Sequence, residues 1–124
     1  MVIYHSETFI ILPHIFSHMI DSKIIDDVVF KIASRFNPYK IILFGSYANG
    51  TQNEDSDLDL LIVQDSELPM QKRGLDIRMS LIGTKIPMDI LIYTKTEFEQ
   101  EKNSAFSFLK SAIKNSKVLY ERAD

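Results

Sequence analysis

Two short apolar runs, Lys40-Ile41-Ile42-Leu43-Phe44 and Leu60-Leu61-Ile62-Val63, flank a polar stretch that begins Gly45-Ser46 and ends Asp57-Leu58-Asp59. Each run is rich in branched aliphatics and bounded by turn residues, as buried strands are. Strands are therefore expected over about 39–44 and 57–63, joined by a Gly- and Asn-containing loop with room for a helical turn. A strand ending in Gly-Ser and a strand opening on Asp-x-Asp bring a permissive backbone and paired carboxylates to one corner of a sheet.

The surrounding pattern supplies the rest of a layered fold. Ile24, Ile25, Val28, Val29, Ile32 and Phe36 recur at helical spacing behind a cap candidate at Asp21-Ser22 and stop at Asn37-Pro38, so an amphipathic helix should pack on the sheet. Residues 70–83 read as a second helix, with Leu75, Met79 and Ile82 on one stripe, Gly83 as a stop and Gly74 inside at a cost of roughly 1 kcal/mol. Ile86 to Tyr93 reads as a third strand. A crossover helix between two buried strands implies a right-handed βαβ unit with those strands parallel. Two overlapping capping boxes, Thr94 with Glu97 and Thr96 with Glu99, open a polar helix. Phe106, Leu109 and Ile113 mark another helix, and Lys117-Val118-Leu119-Tyr120 closes as a short strand. Residues 1–20, with Phe9-Ile10-Ile11-Leu12 interrupted by Pro13, form an N-terminal extension to which no element is assigned.

Bulk properties narrow the function classes. A chain of 124 residues with 45% hydrophobic composition fills one core, near the common size of a single domain. Without a run of eighteen apolar residues or a signal-peptide pattern, a cytoplasmic location is expected. The absence of cysteine excludes a disulfide scaffold and a thiolate metal site. Fourteen basic against seventeen acidic residues leave a net charge of −3, unlike a general binder of nucleic-acid backbones.

The chemistry lies in the acids. Asp57 and Asp59, two residues apart on a strand, share a face with Cα atoms about 6.6 Å apart. Such a pair repels unless a cation lies between them, and magnesium favours carboxylate, water and phosphate oxygens. Asp89, in the apolar run Ile86-Pro87-Met88-Asp89-Ile90-Leu91-Ile92-Tyr93, needs a partner of its own. If the second and third strands are neighbours, about 4.8 Å apart, Asp89 stands beside Asp57 and Asp59. Three acids holding two metals about 3.5–4 Å apart suit in-line displacement at phosphorus, with Asp89 the candidate base. Gly45 lets backbone amides approach a phosphate, and the Ser46 hydroxyl adds a donor. No Walker-type G-x-x-x-x-G-K-[ST] string is present.

Gly45-Ser46, Asp57-Leu58-Asp59 and the later strand acid Asp89 resemble the motif of the polymerase beta-like nucleotidyltransferase superfamily, from about residue 22 onward. With no second substrate-binding domain following, the chain is most similar to the minimal nucleotidyltransferase antitoxins, which are paired with HEPN-domain RNase toxins. The resemblance implies an α/β (α+β) fold, a mixed β-sheet flanked by helices, with residues 21–124 as the nucleotidyltransferase domain. It further implies transfer of AMP from ATP to a tyrosine hydroxyl of the toxin. The site residues it implies are Gly45 and Ser46 for the triphosphate, Asp57, Asp59 and Asp89 for two Mg2+ ions, and Asp89 as base. One departure stands out: many relatives carry arginine where this chain has Asn49, which removes a charge that helps hold phosphate.

Two other readings remain open. A non-catalytic antitoxin would neutralise its toxin by masking alone, and an enzyme of the same class would modify a small hydroxylated molecule such as an aminoglycoside, helped by self-association. His14 and His18 are four apart but lack a third ligand at suitable spacing, so packing or surface placement is the simpler reading. Glu54-Asp55 and Glu97, Glu99 and Glu101 read as solvated faces. Tyr47 lies near the expected pocket, yet an aromatic beside a loop is more often packing.

Overall fold

The computed structural model describes residues 19–123; the apolar run 9–12, His14 and His18 lie outside the described residues. The first helix, α1 (Ser22–Phe36), starts where Asp21 Oδ1 accepts a hydrogen bond from Ile24 N at 2.9 Å. It ends at Asn37, whose left-handed backbone (φ 45°) turns its N–H onto Ala33 O. Its buried stripe is Ile25, Val28, Val29 and Ile32, while Ile24 is 37% exposed. Each fully buried aliphatic of this kind contributes about 1.5–3 kcal/mol over its exposed state.

Four strands form one mixed sheet in the order β3-β2-β1-β4. They are β1 (Lys40–Phe44), β2 (Leu58–Val63), β3 (Met88–Tyr93) and β4 (Lys117–Glu121). β1 runs antiparallel to both β2 and β4, with an irregularity between Ile41 and Ile42 on the β4 side. β2 and β3 are parallel, as the crossover implies. Between β1 and β2 the chain makes a single helical turn, α2 (Ser46–Asn49).

Strand alternation sends side chains to two apolar layers. Ile41, Leu43, Leu58, Leu60, Ile62, Ile90 and Ile92 meet α1 and the buried Tyr47 and Ala48 of α2. Ile42, Phe44, Leu61, Val63 and Tyr93 meet two helices on the opposite face, the one that follows β3 and the one that precedes β4. The crossover between β2 and β3 corrects the expected helix over 70–83. A 3₁₀ turn at Met70–Lys72, a six-residue helix α3 (Leu75–Ser80) and another 3₁₀ turn at Ile82–Thr84 replace it. Gly74 breaks the run by adopting φ 84°, and a Cβ there would lie 2.6 Å from Ile92 Cδ1. The break rotates the helix: Ile77 and Leu81 are buried, whereas Leu75, Met79 and Ile82 are 60–68% exposed. The stripe that the spacing predicted thus faces outward.

The two helices of the opposite face are α4 (Lys95–Glu101), which contributes Phe98, and α5 (Phe108–Ile113), which contributes Leu109. The capping box of Thr94 and Glu97 opens α4 as expected, with both reciprocal hydrogen bonds present. Thr96 falls inside that helix, so the second expected box does not form a helix start. α5 starts two residues after Phe106, which is fully exposed with φ 69°.

Candidate functional site

β1 ends beside the start of β2, and the antiparallel register sets Phe44 opposite Asp59. The parallel register sets Asp59 directly beside Asp89. By alternation with Leu61 and Val63, and with Leu91 and Tyr93, both carboxylates belong to the α4/α5 face of the sheet. Asp57 precedes β2 by one residue and shares the parity of Asp59, where Leu58 N donates to Pro87 O at 3.0 Å and ties the starts of β2 and β3 together. The three acids expected from sequence therefore meet at the same end of two adjacent strands.

Their environments differ. Asp57 and Asp89 are exposed and Asp59 is partly buried. Burial pushes the Asp59 carboxyl above its ordinary range, and the charges of Asp89 and then Asp57 push it in the same direction. Both effects disfavour its charged form. Among the described residues, no three Asp, Glu, His or Cys side chains are drawn into a ready-made cage. The donor set nonetheless fits a hard divalent cation in kind, since it is all carboxylate oxygen and its mutual repulsion is relieved by positive charge.

Gly45 forms a wall against Asp59. Its φ of 74° and ψ of −155° belong to a region that only glycine adopts readily. A Cβ on Gly45 would overlap Asp59 Oδ2 and lie 3.0 Å from Asp59 Cγ. The missing side chain is thus what allows the carboxylate its place. Gly45 O accepts from Ala48 N and Asn49 N, both at 3.1 Å, which curls the chain immediately after the strand and leaves Ser46 as the first residue of α2. Asn49 Oδ1 accepts from Thr51 N at 3.1 Å and Thr51 Oγ1 at 2.6 Å, so this residue organises its own loop. Tyr47 is packed on the opposite face of the sheet, its hydroxyl accepting from Ile20 N at 2.9 Å.

A buttress not apparent from the sequence holds β3, the edge strand that carries Asp89. Arg73 is 7% exposed and grips Glu97 with two hydrogen bonds of 2.6 and 2.9 Å, while donating to Leu68 O and Ile92 O. Arg78 donates to Arg73 O and Ile90 O. The Ile90 and Ile92 carbonyls on the open edge are thereby taken up, which leaves less of that edge for strand addition. The Arg73 hydrogen bonds hold the Glu97 carboxyl down at about 2, assisted by the Thr94 N–H. The capping box flagged Glu97, but the solvated face expected for it does not hold: Glu97 is partly buried against a partner 24 residues away to which nothing local pointed.

The fold and the clustered acids define a class, and comparison with known proteins agrees with it. Residues 22–120 match the model of the nucleotidyltransferase domain family, so the chain belongs to that family and is a nucleotidyltransferase. A Methanocaldococcus jannaschii protein named as a putative protein adenylyltransferase is 32% identical over 106 residues, covering 82% of this chain and all of the relative. Among solved structures, a toxin-antitoxin with AMP-PNP superposes with a TM-score of 0.53 at 22% identity, over 78% of this chain and 73% of that one. A putative nucleotidyltransferase from Sulfolobus solfataricus gives 0.47 at 20% identity, over 77% and 76%. The first of these two likenesses bears on the fold alone.

Proposed function

We propose that this nucleotidyltransferase is an antitoxin that transfers AMP from ATP to a hydroxyl, most simply a tyrosine, of a HEPN-type RNase toxin in the cytoplasm. The carrying observation is the register that sets Asp59 beside Asp89, with Asp57 two residues upstream and Gly45 against the Asp59 carboxylate. The M. jannaschii relative's name supports adenylyl transfer to protein. The outward apolar stripe of Leu75, Met79 and Ile82 offers a surface to a macromolecular partner.

In this reading Gly45 and Ser46 receive the triphosphate, and Asp57, Asp59 and Asp89 hold two Mg2+ ions. The ions supply charge neutralisation at the phosphates and at the departing pyrophosphate. The acceptor oxygen attacks the α-phosphorus, the bond from that phosphorus to the bridging oxygen breaks, and pyrophosphate leaves. The acceptor's proton passes to the Asp89 carboxylate, which solvent can reach and which can then release it. Asp59, already disfavoured as a bare anion, would be relieved by cation binding.

The test incubates the purified chain with its toxin, ATP and Mg2+ and weighs the toxin intact. A gain of one or more adenylyl units, absent with Asp57→Asn/Asp59→Asn, is expected. Neutralisation of the toxin without any mass gain, unchanged in the double variant, would instead establish masking. Transfer to a small hydroxylated compound but never to the toxin would contradict the proposed acceptor.

A further inference from the structure

The wall formed by Gly45 belongs to a second feature. A cleft of about 170 Å³ opens between the end of β1 and α5, lined by Phe44, Gly45, Asn49, Phe108, Ser111 and Asn115 among others. Its volume suits part of a ligand rather than a whole drug-sized one, for which pockets run to roughly 300–1,000 Å³. Because Gly45 is common to the cleft and to the candidate triphosphate loop, a nucleotide whose phosphates lie along Gly45-Ser46 brings its nucleoside to this opening.

The lining has the chemistry for that occupant. Phe108 is 56% exposed, yet it is set in place by an edge-to-face contact with Phe44, with centroids 6.1 Å apart and planes at 84°. The start of its helix is fixed by Ser107, whose side chain accepts from Lys110 N at 2.9 Å and donates to Glu101 O at 2.8 Å. An exposed aromatic held this way is a stacking platform for a base, whatever the base's identity. Asn115 adds discrimination: its amide presents a donor and an acceptor side by side, the pattern that complements N6–H and N7 of adenine, whereas guanine offers two acceptors on that edge.

We propose that this cleft receives the base of the donor nucleotide, that Phe108 stacks on it, and that Asn115 selects adenine. The proposal rests on the nucleotidyl-transfer reading of the adjoining acids. Neither residue is assigned a part in the chemical step. Ser111 and Asn115 are both exposed, so changing them leaves the core untouched.

Calorimetric titration in Mg2+ with AMP-PNP, GMP-PNP and inorganic tripolyphosphate tests it. The native chain should prefer AMP-PNP to GMP-PNP. Phe108→Ala should weaken AMP-PNP binding about tenfold or more and leave tripolyphosphate binding unchanged. Asn115→Leu should lower the AMP-PNP to GMP-PNP preference about tenfold, and Ser111→Trp, which fills the opening, should block both nucleotides while sparing tripolyphosphate. Native AMP-PNP binding and selectivity in all three variants, with binding lost in Asp57→Asn/Asp59→Asn, would overturn the cleft assignment and leave the transfer site standing. A native chain that binds neither AMP-PNP nor tripolyphosphate would overturn both. Equal weakening of all three ligands by Phe108→Ala would refute stacking, and Asn115→Leu would then decide the selectivity claim on its own.

Discussion

Replacing Gly45 by alanine should damage stability and activity together, for reasons visible in the backbone. At φ 74° and ψ −155° a non-glycine residue carries strain of about 1–3 kcal/mol. The new Cβ would overlap Asp59 Oδ2, and its distances of 3.0 Å to Cγ and 3.3 Å to Cβ mean that turning the carboxylate aside does not fully relieve the crowding. The end of β1 and the start of β2 must separate, which on the scale of overpacked cores adds about 1–3 kcal/mol. A combined loss of about 2–6 kcal/mol is expected, a large share of the roughly 5–15 kcal/mol that holds a domain folded. If Asp59 holds the reacting ions as proposed, displacing its carboxylate by about 1 Å lowers turnover about a hundredfold. Gly50→Ala is the control, since Gly50 has φ 85° but a Cβ added there would meet nothing within 4 Å; it should lose only about 1–2 kcal/mol and keep activity. Urea unfolding of both variants, and of Gly45→Ala in an Asp59→Ala background, separates the contributions. Most of the overlap portion should vanish in the double variant, where only the 3.3 Å contact with the Asp59 Cβ remains. Equal losses for Gly45→Ala and Gly50→Ala, with transfer intact, would refute the reasoning.

Three further outcomes are expected. The Glu97 carboxyl falls from its usual 4.5 to about 2 in the folded chain, so its contribution is fully present above pH 4.5 and is lost as pH drops toward 2; at ~1.4 kcal/mol per pH unit the ceiling is about 3 kcal/mol, and 31% side-chain exposure brings it to about 2. Glu97→Gln should therefore lower stability by about that amount at pH 7 and flatten the acid limb of urea midpoints between pH 5 and 3. The raised Asp59 carboxyl has the opposite sign: it favours the fold below about pH 3.8 and opposes it as pH rises through its folded value, so Asp59→Asn should raise metal-free stability at pH 7 and give no gain at pH 3, as read by thermal melts in chelator. Phe106, fully exposed at φ 69°, should yield about 0.5–1 kcal/mol of added stability on Phe106→Gly, because relief of left-handed strain outweighs the entropy of glycine, measured by the same melts.

The parts of the site that can be read in advance are those whose logic is local or follows from one strand pairing. Gly45 and the Asp57/Asp59 pair announce themselves between apolar runs, and Asp89 joins them once the crossover makes β2 and β3 parallel neighbours. Helix α1 is equally legible because its cap, stripe and stop agree. The crossover is not, since the spacing of Leu75, Met79 and Ile82 fits a helix face but cannot say that Gly74 turns it outward. The grip of Arg73 on Glu97 and the cleft beside Phe108 depend on how distant segments pack, and no periodicity encodes that. Phe106 fits the α5 stripe by spacing, yet Ser107 caps the helix one residue later.

Nucleotidyl transfer by this chain requires that Asp57, Asp59 and Asp89 gather divalent cations beside a nucleoside triphosphate. Titrating Mn2+ by electron paramagnetic resonance in the presence of AMP-PNP measures this directly. Two protein-dependent ions per chain are expected for the native sequence, with loss of both in Asp57→Asn/Asp59→Asn and weakened uptake in Asp89→Asn. Ion uptake identical to native in the double variant would show that these carboxylates do not hold the ions.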